Sequence, residues 1–272
     1  MDVSGDFEIW LRVGIFAGLL ALFFALEALW PRRYAVLGRT ERWRTNLSMG
    51  LINMVAVRLL GPLTAIAAAS YTASHNLGLL NQWDGPSWIK FIIALLILDL
   101  FIYLQHVLTH KIPILWRLHK VHHSDRDIDA STALRFHPGE IVLSMLYKCA
   151  IVLALGPTAF AVLIFEIVLN GSAMFNHSNL KLPKKIDKLL RFLIVTPDMH
   201  RVHHSVIQTE TDSNYGFNLS LWDFIFNTYR AQPAKGHQNM TIGLSEYQSQ
   251  KPASLFWSLK LPIGSKTDIV EK

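Results

Sequence analysis

Nine histidines fall into spaced clusters along this sequence, and imidazole is a good ligand for iron, zinc, copper and nickel. The clusters are one HxxxH, two HxxHH and one single histidine, in the order His106 and His110; His119, His122 and His123; His177; His200, His203 and His204. Because positions i, i+3 and i+4 share a helix face, each cluster can direct its imidazoles to one point. Nine converging imidazoles are too many for one metal ion, so the sequence predicts a dimetal site.

Five other polar residues are predicted to orient these imidazoles through hydrogen bonds. Asp99 and Tyr103 share a helix face with the first cluster, and Glu166 and Asn170 share a face with His177. The two carboxylates lie inside apolar runs, where a charge is costly and usually functional. Asp198 is within reach of the third cluster and is the fifth candidate.

The remaining histidines and a nearby acidic segment receive less specific interpretations. His137, in the turn-like sequence RFHPGE, is predicted as a tenth ligand, with a capping or orienting role as the alternative. His75 and His237 are interpreted as structural. Residues 125–129 carry three aspartates and one arginine, and are interpreted as a solvated loop.

Long apolar runs must position these residues. Of 272 residues 51% are hydrophobic and 17% charged, which is too apolar for an ordinary soluble domain. Residues 9–30, 47–70 and 88–104 are each about long enough to cross a bilayer, and 141–175, broken at Gly156 and Pro157, predicts a helical hairpin. The sequence thus predicts an all-α membrane protein with about four to five inserted helices under a cytoplasmic helical cap that carries the dimetal site.

Charge predicts the orientation of these helices. The segment after the first run is basic, whereas residues 71–87 contain no lysine or arginine. The positive-inside rule then places the N-terminus outside and the histidines in the cytoplasm of a multi-pass protein, such as one of the bacterial inner membrane. The acidic start of the chain favours a retained span over a cleaved signal peptide. Three regions are predicted: N-terminal helices with a basic loop over 1–90, a catalytic domain over 91–235 and a cytoplasmic tail over 236–272.

Several functional classes are disfavoured. The sequence has no glycine-rich nucleotide loop, no CxxC pair and no HExxH, and nucleic acid is a poor partner for a chain this apolar. A histidine-rich metal transporter or storage protein remains an alternative, although its ligands would line a path across the membrane rather than gather at one face. A zinc-dependent membrane hydrolase built on the same ligands is a second alternative.

The ordered motifs carry a resemblance. The segments DLFIYLQHVLTH, WRLHKVHHSD, ALRFHP, TPDMHRVHHS and TDSNYGFNLSLWDFIFNTYR together resemble the fatty acid hydroxylase/sterol desaturase superfamily, in particular its bacterial-type sterol desaturase proteins, over roughly residues 99–230. The resemblance implies a non-haem diiron oxygenase that holds two iron ions and uses O2 on a lipid substrate. Zinc could replace iron in purified protein. The superfamily includes hydroxylases, desaturases and ether-cleaving enzymes, so the resemblance leaves the product open.

Such a reaction needs two electrons beyond those taken from the substrate, and the sequence shows no flavin, haem or iron–sulfur motif. An external donor is therefore predicted, such as a reductase with cytochrome b5 or ferredoxin. Five lysines are candidate contacts for an acidic carrier or, equally, for anionic lipid headgroups: Lys120, Lys181, Lys184, Lys185 and Lys188.

Overall fold

The computed structural model describes residues 5–264, and α-helices joined by short turns make up most of this range. The helices are α1 (Gly5–Leu29), α2 (Arg39–Leu59), α3 (Ala65–Ser74), α4 (Leu79–Gln82), α5 (Ser87–Lys111), α6 (Pro113–His123), α7 (Pro138–Leu155), α8 (Ala159–His177), α9 (Lys184–Leu190), α10 (Pro197–His203), α11 (Gln208–Thr211), α12 (Leu221–Ile225), α13 (Gly236–Asn239) and α14 (Leu255–Lys260). A 3-10 turn, Ala130–Leu134, joins α6 to α7.

Four of these helices are long and apolar enough to cross a membrane: α1, α5, α7 and α8. The prediction of an all-α membrane protein is thereby confirmed, as is the hairpin formed by α7 and α8. At the hairpin turn Gly156 adopts a left-handed conformation with φ +67°. A Cβ at this position would lie 2.6 Å from the carbonyl oxygen of Leu77, so only glycine fits between the hairpin and the segment before α4.

The prediction of one continuous span over residues 47–70 is wrong. Helix α2 ends at Leu59, and the chain turns at Gly61, with φ +59°, before α3 begins at Ala65. Pro62 has no N–H to continue the helix. The buried face of α2 is largely polar and includes Arg42, Asn46 and Asn53, and among the described helices α2 is not one that is long and apolar enough to cross a membrane.

Helices α1, α5 and α8 share one polarity and α7 runs opposite to them, which separates two ends of the molecule. Arg12 lies 2.8 Å from Glu166, and Glu27 near the end of α1 accepts the backbone N–H of Asn179, just after α8. Helices α1 and α8 therefore run parallel. The basic loop that follows α1 consequently lies at the end that carries the histidines, whereas Gly78 and Gly156 meet at the opposite end. This relative arrangement is the one that the charge pattern predicts.

The acidic segment 125–129 is not a solvated loop. Arg42, only 1% exposed, donates hydrogen bonds to Asp125 at 2.7 Å and to Asp129 at 2.6 Å. Burial alone would raise the pKa of Asp125, but the Arg42 guanidinium outweighs burial and holds this pKa well below its usual range. Asp127 accepts the backbone N–H groups of Val36 and Leu37. These contacts fasten the basic loop and α2 onto the turn after the second histidine cluster.

The C-terminal part of the described chain packs against α2 and the segment that follows the 3-10 turn. The buried Arg135 guanidinium donates to the carbonyl oxygen of Pro252 at 2.7 Å, to Ser258 at 2.9 Å and to Asn46 at 3.0 Å. Within the predicted tail over 236–272 the described residues therefore pack against the rest of the chain, and the residues after 264 lie outside the described range.

Candidate metal centre

The histidine clusters meet because four helices direct their C-terminal ends to one place. His106 and His110 occupy the last two turns of α5, and His177 is the last residue of α8. The other two clusters close α6 and α10, two short helices that each begin with proline, a residue suited to the first helical position. The Thr196 side chain caps α10 by accepting the N–H of Met199.

The nine histidines divide into two groups, in each of which the potential ligand nitrogens all lie within 4.8 Å of one another. The five-histidine group consists of His106, His110, His119, His123 and His203. The four-histidine group consists of His122, His177, His200 and His204. Each HxxHH motif contributes to both groups, so the helix spacing sends neighbouring imidazoles to different points. The rings of His123 and His204 stack with centroids 4.5 Å apart, which shows that the two groups are adjacent.

Burial keeps five of the imidazoles that lie outside the long apolar helices in the neutral form, which is the form that binds metal. It lowers the pKa of His203 to about 3, and it holds the pKa of His122, His123, His200 and His204 well below the usual range. At neutral pH these rings therefore offer lone pairs instead of positive charge.

Hydrogen bonds at Nδ1 fix the orientation of four rings. His106 donates to the carbonyl oxygen of Tyr215 at 2.8 Å, and His203 donates to that of Ser213 at 2.8 Å. His177 donates to the carbonyl oxygen of Ala173 at 2.7 Å, and Nδ1 of His119 lies 2.6 Å from Oε1 of Glu140. A ring that donates through Nδ1 presents an unprotonated Nε2, which is how metal-bound histidines are commonly held.

The Nε2 atoms in both histidine groups are placed where metal ligands would be. In the five-histidine group, Nε2 of His110, His119 and His203 is buried without a hydrogen-bond partner among the described residues. In the four-histidine group, Nε2 of His177 lies 3.0 Å from Nε2 of both His122 and His200. At this distance two nitrogen lone pairs repel each other unless a proton lies between them. A metal cation bound between the nitrogens would remove this repulsion. The donor set therefore fits one ion in each group.

Sequence reasoning missed Glu140 and Asp212. Glu140 lies in the first turn of α7, and only folding brings it to His119; Asp212 has Oδ1 3.7 Å from Nδ1 of His110. The sequence instead predicted the carboxylates inside apolar runs, because an apolar run indicates burial. The turn-like segment RFHPGE contains Glu140, but no helical spacing links Glu140 to one of the clustered histidines.

The residues predicted to orient the first cluster act elsewhere. Asp99 accepts a hydrogen bond from the indole of Trp222 at 2.8 Å and from the backbone N–H of Leu219 at 3.2 Å. The Tyr103 hydroxyl lies 2.9 Å from that of Thr228. Both side chains therefore hold the segment after the third cluster against α5, and their effect on the imidazoles is indirect.

Glu166, Asn170 and Asp198 likewise make no described contact with a ligand imidazole. Glu166 pairs with Lys148 at 2.7 Å and with Arg12, so it joins α1, α7 and α8. Asn170 lies on an exposed part of α8. Asp198 pairs with Arg201 on its own helix and lies 3.0 Å from Nε of Arg32.

His137 lies outside both histidine groups, so its prediction as a tenth ligand is corrected. Its Nδ1 accepts the N–H of Gly139 at 3.1 Å, and its Nε2 lies 3.3 Å from the carbonyl oxygen of Leu259. His137 is the N-cap of α7, because Pro138 opens that helix and leaves the following N–H groups in need of an acceptor. This is the capping role held open as the alternative.

Comparison with known proteins covers the part of the chain that carries these histidines. The model of the family described as fatty acid hydroxylase matches residues 91–228. Human alkylglycerol monooxygenase is 28% identical over 79% of this chain and 46% of its own length. Ornithine lipid hydroxylase OlsE of Rhizobium tropici is 28% identical over 60% of this chain and 47% of its own, and a cholesterol 25-hydroxylase-like protein of Danio rerio is 26% identical over 83% and 91%.

The chain thus spans less than half the length of the first two relatives. No solved structure matches it. The family model covers more than half of the chain and contains all nine clustered histidines. The chain belongs to the fatty acid hydroxylase family, within the fatty acid hydroxylase/sterol desaturase superfamily.

Proposed function

We propose that this protein is an integral-membrane diiron oxygenase that uses O2 and two external electrons to hydroxylate or desaturate a lipid. The observation that carries the proposal is the division of nine histidines into a five-histidine and a four-histidine group at one end of four apolar helices. Two ions held side by side can share the electrons that reduction of O2 requires, whereas a structural metal site needs only one.

The all-nitrogen donor set favours iron over the hard cations magnesium and calcium, which prefer oxygen ligands. Bound iron would supply the oxidising power, and the protein supplies geometry. Glu140 and the backbone carbonyl groups of Ala173, Ser213 and Tyr215 hold the rings, and burial excludes bulk water from the ligand nitrogens. For hydroxylation the balance is one C–H bond, O2, two electrons and two protons, which give an alcohol and water.

The alternatives fit the geometry less well. A metal transporter needs ligands along a path across the membrane, but both groups lie at one end of the long helices. A zinc hydrolase needs one activated water and has no use for a second ion with four imidazole ligands. The names of three relatives refer to alkylglycerol, ornithine lipid and cholesterol, which are all lipids, and this supports a lipid substrate here.

We infer that the histidine end faces the cytoplasm, because the basic loop after α1 lies there. Lys184, Lys185 and Lys188 on α9 neighbour exposed Leu189 and Phe192, which are 70% and 72% exposed. Apolar side chains beside lysines favour a lipid surface, so we assign these lysines to headgroups and propose that the external electron donor binds elsewhere on the cap.

The proposed reaction is tested with protein purified in detergent, loaded with ferrous iron and supplied with NADPH, a reductase and a carrier. Alkylglycerol, ornithine lipid and sterol are offered under isotopically labelled O2. We expect one of them to gain a labelled hydroxyl or to lose two hydrogens, and only when the carrier is present. Turnover with zinc and without O2 would support the hydrolase instead, and turnover without any carrier would contradict the external donor.

The proposed orientation is tested by cysteine labelling of intact cells, after the lone cysteine Cys149 is replaced by alanine. Asp84→Cys lies in the loop before α5, and Thr209→Cys lies on the cap; both positions are exposed. A membrane-impermeant reagent should label Asp84→Cys directly, and Thr209→Cys only after permeabilisation. The reverse pattern would overturn the orientation and leave the metal centre unaffected.

A further inference from the structure

A cavity of about 200 Å³ lies between α5, α6 and α7, beside the five-histidine group. One wall is formed by Gln105 and Leu108 on α5, and the opposite wall by Glu140, Leu143 and Tyr147 on α7. On each helix the lining residues are three or four positions apart, so they form one face. The cavity is therefore a cleft between two of the helices that are long enough to cross the membrane.

The cleft opens toward the bilayer. Leu108 and Leu143 stand on its facing helices and are 41% and 47% exposed, in a part of the molecule that would be surrounded by lipid. Deeper contacts bridge the two helices: Ser144 donates to Gln105 at 3.3 Å, and the Tyr147 hydroxyl donates to the carbonyl oxygen of Phe101 at 3.2 Å. An apolar entrance with polar groups behind it suits an amphipathic molecule.

Glu140 forms the inner wall and is only 7% exposed. Its Oε1 lies 2.6 Å from Nδ1 of His119, but its Oε2 is buried without a hydrogen-bond partner among the described residues. A buried carboxylate oxygen without a donor is costly, so a donor brought by a ligand would be bound strongly. Thr109 and Leu118, which also line the cleft, directly adjoin His110 and His119 in the chain.

We propose that this cleft binds the hydroxyl-bearing end of a lipid with an alkyl chain, and that Oε2 of Glu140 accepts a hydrogen bond from the lipid hydroxyl. The alkyl chain leaves between Leu108 and Leu143 into the bilayer. The cavity is smaller than the roughly 300–1,000 Å³ of sites that enclose whole ligands, which agrees with a site for one end of the lipid. The carbon atoms next to the hydroxyl then lie beside the five-histidine group rather than the four-histidine group. This inference rests on the proposed function, because it assigns a substrate class to the same centre.

The test measures binding apart from turnover. Iron-loaded protein is photolabelled without O2 by an alkylglycerol that carries a diazirine in its alkyl chain, and the labelled residues are mapped by mass spectrometry. We expect label on α5 and α7 near Leu108 and Leu143. The same probe with methylated hydroxyls should label about tenfold less, because the bond to a buried carboxylate is lost.

A variant at the entrance of the cleft and a matched control complete the test. Leu143→Trp should block the entrance and lower labelling and turnover by about tenfold while metal content stays unchanged. Leu146→Trp alters a residue that is 41% exposed on the same helix and does not line the cleft, and it should match the unmodified protein. Three outcomes would each contradict binding of the lipid in the cleft: labelling elsewhere, equal labelling by the methylated probe, or full turnover of Leu143→Trp. Label in the cleft of a protein that oxidises no lipid would instead contradict the proposed function alone.

Discussion

Replacement of His177 by alanine is expected to reduce the bound metal from two ions to one per chain and to abolish turnover. His177 belongs to the four-histidine group, where its Nε2 lies 3.0 Å from Nε2 of two other ligands. Its loss leaves three imidazoles for that ion. Loss of a group that merely orients a ligand already costs about 10–100-fold in metal affinity, so loss of a ligand should cost more.

The measurement is the iron content of purified protein together with O2-dependent lipid oxidation. His75→Ala is the matched control, because His75 is exposed at the opposite end of the molecule and belongs to neither group. It should keep two ions and full activity. A His177→Ala variant with two ions and full turnover would refute the assignment of His177 as a ligand of the second ion. Zinc in place of iron would not, since zinc binds such sites tightly and can replace iron during expression.

The nine histidines that the structure brings together could be identified from the sequence, but their division into two groups could not. In each HxxHH motif positions i and i+4 fall in one group and position i+3 in the other, whereas the sequence predicted that each cluster directs its imidazoles to one point. The single His177 was predicted from the three clusters and from the helix face that it shares with Glu166 and Asn170, and the structure places it at the end of α8. Hydrophobic length similarly predicted α1, α5 and the hairpin, since a membrane span requires a long apolar run.

Contacts between distant parts of the chain were not predictable, because no periodicity records them. Asp99 and Glu166 were correctly recognised as buried carboxylates, but their partners are Trp222 and Lys148 instead of imidazoles. The carboxylate that does contact a ligand, Glu140, sits in a polar first turn without any unusual pattern. The prediction of a span over residues 47–70 was wrong for a related reason. The sequence shows the apolar part of this segment, but the polar partners of α2 lie elsewhere in the chain.

The same kind of distant contact predicts the largest effect on stability. Arg42→Ala is expected to lower the free energy of unfolding by about 3–5 kcal/mol, because it leaves buried Asp125 and Asp129 without their cation. The side chains of Arg42 and Asp125 are 1% and 2% exposed, so water does not compensate for the loss. Asp125 follows His123 by two residues, and the variant should therefore also retain less metal at a given temperature.

Thermal unfolding in detergent, with metal content measured in parallel, tests this expectation against Arg44→Ala. Arg44 lies two residues away on the same helix but is exposed, and its removal should change the stability by less than about 0.5 kcal/mol. Arg42→Lys should fall between the two, because a lysine cannot donate to both carboxylates as the guanidinium fork does. If Arg42→Ala and Arg44→Ala unfolded alike, the buried cluster would not be what fastens α2 to the second histidine cluster. The metal groups would then depend on the packing of α5, α8 and α10 alone.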